Sequence, residues 1–424
     1  MEIPKVIKKM VSVIQQAGGK SFLVGGAVVD AIQGRTPKDW DLEIHGLNHA
    51  GLFNCLGEFD PVTVGKSFGV IKLRAGGLDV DVSIPRRDNN ADLDSLEFVA
   101  DMSPEEAGRR RDFTINSMFF DLETHKVIDP FNGMADLQAG ILRATDQETF
   151  VEDPLRALRA MQLLPRKAKV VDPATVELIR GMVGEFDALP GERVFVEFEK
   201  LLLKAEKPSI GLEFLKTCGW LRHFPELEQF TAWSGWEEAE NRQFKDSAPH
   251  FETDGCPQNP DWHPEGDVWI HNNMVLDAAA QVRHMVPEDW RLAFMFAALL
   301  HDVAKPITTV LPVCTARGHE PAGGPLACQF LDRMTNQKKL ITRVEALVMN
   351  HLQPFQLAGK AKPAAWRRLH RKVGRLDVLG WLSRADWAGR GGRDPLTPSE
   401  NGKKVAHMAS FECFRFFDEL GTDD

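Results

Sequence analysis

Tyrosine is missing from all 424 residues, although phenylalanine (26) and tryptophan (10) are plentiful. Stacking and acid–base work in this chain therefore fall to other side chains. Cysteine is scarce: Cys55, Cys218, Cys256, Cys314, Cys328 and Cys413 lie far apart, with no Cys-x-x-Cys pair. That spacing indicates neither a disulfide framework nor a thiolate zinc site, and the six read as reduced, mostly structural thiols. Long apolar runs are lacking too, so nothing approaches the roughly 20 residues of a membrane span. Residues 3–14 have the spacing of an amphipathic helix with lysines on its polar side, unlike the apolar core of a secretion signal. A cytoplasmic protein with no membrane partner is the expectation. An excess of positive charge is likewise missing, since 51 Lys and Arg face 61 Asp and Glu for a net charge of −10. Phosphate backbones demand positive potential, so any nucleic-acid contact must use local patches. Arg166-Lys167-Lys169, Lys200-Lys204-Lys207 and Arg367-Arg368-Arg371-Lys372-Arg375 are the candidates. The length predicts two to three domains, and the 43% apolar content is ordinary for a globular chain.

What is present is concentrated first in Leu23-Val24-Gly25-Gly26-Ala27-Val28-Val29-Asp30 and in Lys38-Asp39-Trp40-Asp41-Leu42. Phe22 to Val24 form a short apolar β-run, after which two glycines let the backbone take φ > 0 or approach a ligand closely. Residues 27–33 read as a short helix that turns its positive end toward the same point. Asp39 and Asp41 are two apart, so on a strand both leave one face while Trp40 enters the opposite layer. Paired hard oxygens suit Mg²⁺, which also takes phosphate oxygens. Leu78-Asp79-Val80-Asp81-Val82 offers a second alternating strand, with Asp81 expected as the supporting third acid. Three carboxylates around Mg²⁺ suit attack of a 3′-hydroxyl on a nucleoside triphosphate with loss of pyrophosphate.

Arg109-Arg110-Arg111-Asp112-Phe113-Thr114-Ile115-Asn116 follows, and guanidinium forks bind phosphate in bidentate fashion. Further on, Glu152-Asp153-Pro154-Leu155-Arg156-Ala157-Leu158-Arg159 opens a helix, with acids in the first turn and Pro154 early. Asp153 and Arg156 are three apart and share a helical face. Side by side they offer acceptor and donor edges to a nucleobase; a capping acid and a surface ion pair is the alternative.

Taken in order, these motifs, with Asp129-Pro130-Phe131-Asn132-Gly133 between them, resemble the class II CCA-adding tRNA nucleotidyltransferases and their bacterial poly(A) polymerase relatives, of the polymerase-β-like superfamily. Glu192-Arg193-Val194, Cys218-Gly219-Trp220-Leu221 and Phe224-Pro225-Glu226-Leu227 look like that family's helical neck and body. The resemblance implies that Asp39 and Asp41 hold Mg²⁺ with Asp81 as third catalytic acid. It also implies that Gly25, Gly26, Arg110, Arg111, Asp112 and Asn116 serve the nucleotide. Asp153 and Arg156, assisted by Arg159, would read the Watson–Crick edge of CTP or ATP, so the protein itself acts as template for a tRNA 3′ end. Two positions depart from the pattern: Val29 and Gln162 stand where the family usually carries arginine. The segment 86–108, where the family has a flexible loop, is acidic and not glycine-rich. A-only, CC-only or poly(A) addition therefore stay open as alternatives.

The second half carries His271, then His301-Asp302, His319-Glu320, His351 and Asp386. This ordered set resembles an HD-type metal-dependent phosphohydrolase, in which imidazole and carboxylate suit Ni²⁺, Mn²⁺, Co²⁺ or Mg²⁺ and a bound water becomes the nucleophile. His271, His301, Asp302 and Asp386 are the expected ligands, with His319 and His351 as further ones. Together with Trp262-His263-Pro264-Glu265 and Gly389-Arg390, the set is similar to the subgroup of bacterial CCA-adding enzymes that carry a C-terminal HD domain. The resemblance implies 2′,3′-cyclic phosphodiesterase, 2′-nucleotidase and phosphatase activities. An HD phosphohydrolase whose head only binds RNA is the alternative of another class.

The expected fold is α+β: a small mixed-sheet nucleotidyltransferase head at 1–146, an all-α neck and body at 147–233 for nucleotide selection and tRNA binding, a linker at 234–260, and an all-α HD domain at 261–417. Expected partners are a tRNA 3′ end, CTP and ATP, with no DNA, for a monomer or homodimer.

Overall fold

The computed structural model describes residues 3–37, 39–64, 70–87, 97–237, 243, 245, 254–391, 394–396 and 404–420. Lys38 and residues 88–96 of the segment 86–108 lie outside the described residues. The chain forms two compact units, Met1–Arg156 with Lys167–Met182, and Ala157–Arg166 with Val183–Asp424. The boundary expected at 146 falls inside the first unit.

The first unit is built on a seven-stranded mixed sheet. Its strands are β1 (Lys20–Val24), β2 (Trp40–His45), β3 (Val62–Val64), β4 (Val70–Ala75) and β5 (Leu78–Ser83), joined beyond the two-stranded β6 (Arg86–Arg87) and β7 (Glu97–Phe98) by β8 (Phe119–Asp121) and β9 (Val127–Ile128). The order is β3-β4-β5-β2-β1-β8-β9, and within it only β2 and β5 run parallel. Period-two alternation fixes the faces. Trp40, Leu42, Val80 and Val82 point into one core together with Val28, Val29 and the helix Lys5–Gln16, which buries Ile7, Met10, Val11 and Ile14. The i, i+3, i+4, i+7 spacing of those four is the stripe an amphipathic helix needs to cover a sheet, and its lysines face outward as the sequence implied. On the sheet's other face Phe22, Val24, Met102, Ala107 and Phe119 make a smaller core. The parallel register sets Asp41 opposite Asp81.

A short parallel pair, β10 (Ile141–Leu142) with β11 (Val170–Val171), interrupts the region expected to be purely helical and ties 167–182 into the first unit. Arg143 reinforces the tie by bridging Asp136 and Asp172.

The second unit is helical. The helices Val268–Val282 and Glu288–Leu300 are apolar around most of their circumference, which makes them central. Phe198 contacts Phe224 and Phe330 edge-on, and Phe195 stacks on Phe296. Within that layer Glu226, 4% exposed, is satisfied by both Nη atoms of Arg333 at 2.6 and 2.5 Å. The described end of the expected linker, 254–260, is packed and not a free connector. Cys256 is fully buried, its N–H donates to the Phe230 carbonyl, and its own carbonyl accepts from the Val268 N–H. All six cysteines are free thiols. Among the described residues no helix is long and apolar enough to cross a membrane.

Candidate functional site

In the first unit, β1 ends at Gly25, whose φ of 64° and ψ of −140° suit glycine alone, and the helix Gly26–Ile32 begins at once. A Cβ on Gly25 would sit 3.8 Å from Asp41 Oδ2, so the turn passes directly over the acid. Asp39 precedes β2 and is exposed, whereas Asp41 is half-buried beside fully buried Trp40. Asp39, Asp41, Asp79 and Asp81 line one cavity of about 680 Å³ with Lys72 and Arg74. Burial first, then Asp81 and Asp39, push the Asp41 carboxyl above its ordinary range. Lys72 Nζ, 3.5 Å from Asp81 Oδ2, offsets part of that charge. Such a cluster is relieved by a hard divalent cation, for which carboxylate oxygens are suitable donors. Asp39, Asp41 and Asp81 do not bring three ligand oxygens within 4.8 Å of one another, a spacing met only in the second unit among the described residues.

Arg111 is held on that same sheet face. Its Nη2 donates to Glu43 Oε2 at 2.7 Å, its Nη1 to the Asn116 carbonyl at 3.3 Å, and its guanidinium lies over Phe119. Glu43 Oε1 also meets His45 Nε2 at 3.0 Å, and His45 Nδ1 donates to the Met102 carbonyl at 2.7 Å. Burial would raise the Glu43 carboxyl, but Arg111 and His45 hold it below its usual range. Arg110 and Arg111 line a further cavity with Glu43, Ser83 and Arg86. Asp112, buried, accepts from the Phe113 N–H at 2.8 Å and from Asn116 Nδ2 at 3.0 Å, so this pair shapes the turn that carries the arginines.

Asp153 caps the next helix, accepting the Leu155 N–H at 3.1 Å. Arg156 donates to the carbonyls of Thr149 and Arg110, the latter at 2.6 Å, and lies over Phe150. Arg159 lies one turn further along the same helix, Leu155–Lys167, and is half-buried. The two departures from the family pattern have structural settings. Val29 is 1% exposed inside the sheet's core, and Gln162, buried, accepts through Oε1 from Arg166 one turn on.

The histidine–aspartate set of the second unit converges. His271, His301 and Asp386 form one close group and Asp302, His319 and His351 another, each with its ligand atoms within 4.8 Å. Asp302 joins them: Oδ2 lies 3.2 Å from His301 Nε2 and 3.6 Å from His271 Nε2, while Oδ1 lies 3.2 Å from His319 Nε2 and 3.7 Å from His351 Nε2. Every ring is anchored through Nδ1, by Glu265 Oε1 for His271 and by the carbonyls of Ala298, Ala316 and Val348 for His301, His319 and His351. That anchoring turns each Nε2 toward the shared space, the orientation a metal ligand requires. The Nε2 atoms of His271 and His301 are buried without a hydrogen-bond partner. Burial would raise Asp302 and Asp386, yet His301 and Lys305 for the first and Arg390 for the second hold both well below the carboxylate range. Burial drives His351 down to about 3. Burial would lower His319, but Asp302 holds its imidazole above the ordinary value. Imidazoles and ionised carboxylates together make a donor set that fits one or two divalent ions.

Several side chains here escaped the sequence reading as functional residues. Glu265 bridges His263 and His271; Lys305 Nζ reaches Asp302 at 2.7 Å and Gln258 at 2.6 Å; and Arg390 reaches Asp386 at 3.2 Å. Glu265, six residues before His271, carried a usable signal, whereas Gln258 lay in the presumed linker and carried none. Glu43 and His45, two apart on β2, continue the Asp-x-Asp alternation and were legible as the same face.

Residues 21–143 match the poly(A) polymerase head domain, and residues 170–231 match a probable RNA- and SrmB-binding site of polymerase A. A multifunctional CCA protein of Xanthomonas campestris pv. campestris (strain B100) is 36% identical over 299 residues, covering 68% of this chain. The match spans 64% of that relative's length, just under two thirds. A multifunctional CCA protein of Xanthomonas axonopodis pv. citri is 31% identical over 411 residues, 92% of this chain and 90% of its own, and so extends through the histidine–aspartate unit. In fold, the Bacillus stearothermophilus CCA-adding enzyme crystallised with CTP superposes with a TM-score of 0.61 at 20% identity, over 99% of this chain and 84% of that one. The α+β architecture of mixed-sheet head and helical remainder is shared, and by its match to nine-tenths of the Xanthomonas axonopodis relative the chain belongs to the CCA-adding nucleotidyltransferase family.

Proposed function

We propose that the chain adds C and A to tRNA 3′ ends from CTP and ATP without a nucleic-acid template. The observation that carries the reading is the Asp39, Asp41 and Asp81 face under the Gly25 turn, in a head that matches the family. Asp39 and Asp41 would hold Mg²⁺, with Asp81 in support. Bound there, the ion supplies electrostatic stabilisation to the reacting phosphoryl oxygens and to the attacking hydroxyl. The terminal 3′-oxygen bonds to the α-phosphorus as the bond to pyrophosphate breaks, and the hydroxyl proton is lost to solvent or to a free carboxylate oxygen. Gly25 keeps the backbone close without a side chain in the way. Arg110 and Arg111 supply cationic forks to the triphosphate, Arg111 pre-oriented by Glu43. Asp153 and Arg156, with Arg159, offer the acceptor and donor edges that select the base. For Arg156 this means exchanging its bonds to the Thr149 and Arg110 carbonyls for a base edge. Incubating tRNA that lacks its 3′ end with each nucleotide separately tests the reading: CTP alone should stop at CC, and CTP with ATP should stop at CCA. A poly(A) ladder, or no extension at all, overturns it.

A second activity at the second unit is favoured by the four Nε2 atoms aimed at Asp302. His271, His301, Asp302 and Asp386, with His319 and His351, would hold a divalent metal (Ni²⁺, Mn²⁺, Co²⁺ or Mg²⁺), which supplies a hydroxide-like water at neutral pH. Lys305 and Arg390 face the same cavity and can neutralise a phosphate. Water oxygen bonds to phosphorus while a P–O bond to ribose breaks, and the departing oxygen takes a proton. The reading is a 2′,3′-cyclic phosphodiesterase, 2′-nucleotidase and phosphatase acting on nucleotide ends. A cytoplasmic setting suits CTP, ATP, tRNA and six free thiols.

A further inference from the structure

The histidine–aspartate cavity, about 540 Å³, is far larger than a phosphate group needs. Its floor is polar: Asp302, Asp386, His319 and His351 with the cations Lys305 and Arg390. Its rim is different. Trp262 lines the same cavity yet is 64% exposed, the largest aromatic side chain among the exposed hydrophobic residues. Leaving an indole in water forgoes a large part of the burial that usually places tryptophan in a core or at a binding surface.

The local chain explains how it is held there. The N–H groups of Trp262 and His263 both donate to the Asn259 carbonyl, at 3.1 and 2.9 Å, while the Asp261 N–H donates to Asn259 Oδ1 at 2.9 Å. His263 is then drawn inward to Glu265, at 2.9 Å, and its ring meets His271 edge-on at 4.5 Å. A tight turn fastened to the metal-ligand layer on one side therefore fixes an exposed indole on the other. Its preceding neighbours Pro257, Gln258 and Asn259 line the same cavity.

We infer that Trp262 is the nucleobase platform of this cavity, a stacking face that holds the base of a nucleotide whose ribose phosphate enters the site, irrespective of which base it bears. The inference rests on the phosphohydrolase reading of the cavity and adds the residue that holds the base. Every base has a π-face, so a stacking platform is tolerant of base identity, whereas a hydrogen-bonding pocket is not. Such tolerance suits a site that meets whatever nucleotide ends a broken or unfinished RNA.

The test is calorimetric titration of the full chain with guanosine 2′-monophosphate and with glycerol 2-phosphate, a base-free phosphomonoester, in metal-free buffer, where neither probe is turned over. Trp262→Ala should lower the ratio of nucleotide to glycerol phosphate affinity about tenfold, and Trp262→Phe should restore most of it. Replacing the guanosine nucleotide by the cytidine or adenosine one should leave that ratio within about threefold. An unchanged ratio in Trp262→Ala overturns the inference while leaving the phosphate site standing. A wild type that binds neither probe overturns the phosphate site itself and the inference with it. Unchanged thermal melting of Trp262→Ala excludes a folding defect, which the side chain's exposure already disfavours.

Discussion

Glu265 Oε1 accepts the Nδ1 hydrogen of His271 at 2.7 Å, and both side chains are fully buried. The same oxygen takes His263 at 2.9 Å. Burial would raise this carboxyl, but the two imidazole donors hold it at about 2, so it is ionised and fixes His271 with Nε2 toward the acids. Glu265→Gln should therefore weaken divalent-metal binding roughly 10- to 100-fold, the usual cost of losing an outer-sphere carboxylate. Equilibrium dialysis with Mn²⁺ reads this, and an unaltered affinity would remove Glu265 from the metal's support.

Two single substitutions separate the activities. Asp39→Ala should lower nucleotide incorporation into tRNA by roughly 10²-fold or more and spare hydrolysis of nucleoside 2′,3′-cyclic phosphate. His301→Ala should do the reverse. An Asp39→Ala protein that still extends tRNA at the normal rate sinks the head assignment.

Glu43→Gln should raise KM for CTP and ATP and cost about 3 kcal/mol of head stability, because it leaves Arg111 without its charge partner in a largely buried site. Restoring the charge as Glu43→Asp should recover part of the KM effect, which a purely structural role would not predict.

The same pair sets an acid limit. The folded Glu43 carboxyl sits below its ordinary 4.5, held there by Arg111 and His45 against the opposing effect of burial. Its contribution is thus complete above pH 4.5 and is lost as pH falls through the lower folded value. The melting-temperature gap between wild type and Glu43→Gln should be constant from pH 7 to 5 and close below that. A gap that widens on acidification would contradict the assignment.

Val29→Arg, which restores the family's usual residue, should destabilise the first unit by about 3 kcal/mol, since the position is 1% exposed in the sheet core. Chemical denaturation measures it. A neutral outcome together with faster nucleotide addition would mean that the arginine finds a route to the triphosphate.

Much of this was legible before any coordinates. The Asp-x-Asp alternation set Asp39, just before β2, and Asp41, on it, toward one side, where both line one cavity, because the side-chain period of a strand is two. The stripe of Ile7, Met10, Val11 and Ile14 wrote the first helix for the same kind of reason. Gln258 was not legible: in a Pro-, Gly- and Asn-containing stretch with no period, only packing reveals that Cys256 is a core residue and that its neighbour reaches Lys305. The strand pair β10–β11 was equally hidden, because two-residue strands carry no pattern.

The sequence by itself determined the order of the motifs and the face each alternating or helical side chain takes, since residue type, local period and motif spacing are properties of the chain. Tertiary structure alone decided the partnerships. Asp41 meets Asp81 because β2 and β5 run parallel in register, and Asp302 joins two histidine groups because separate helices end at one point. Glu43 meets Arg111 across 68 residues by the same kind of long-range closure. Electrostatic energies fall off with distance and depend on burial, so the charge state of each site is settled only when the fold brings its groups together.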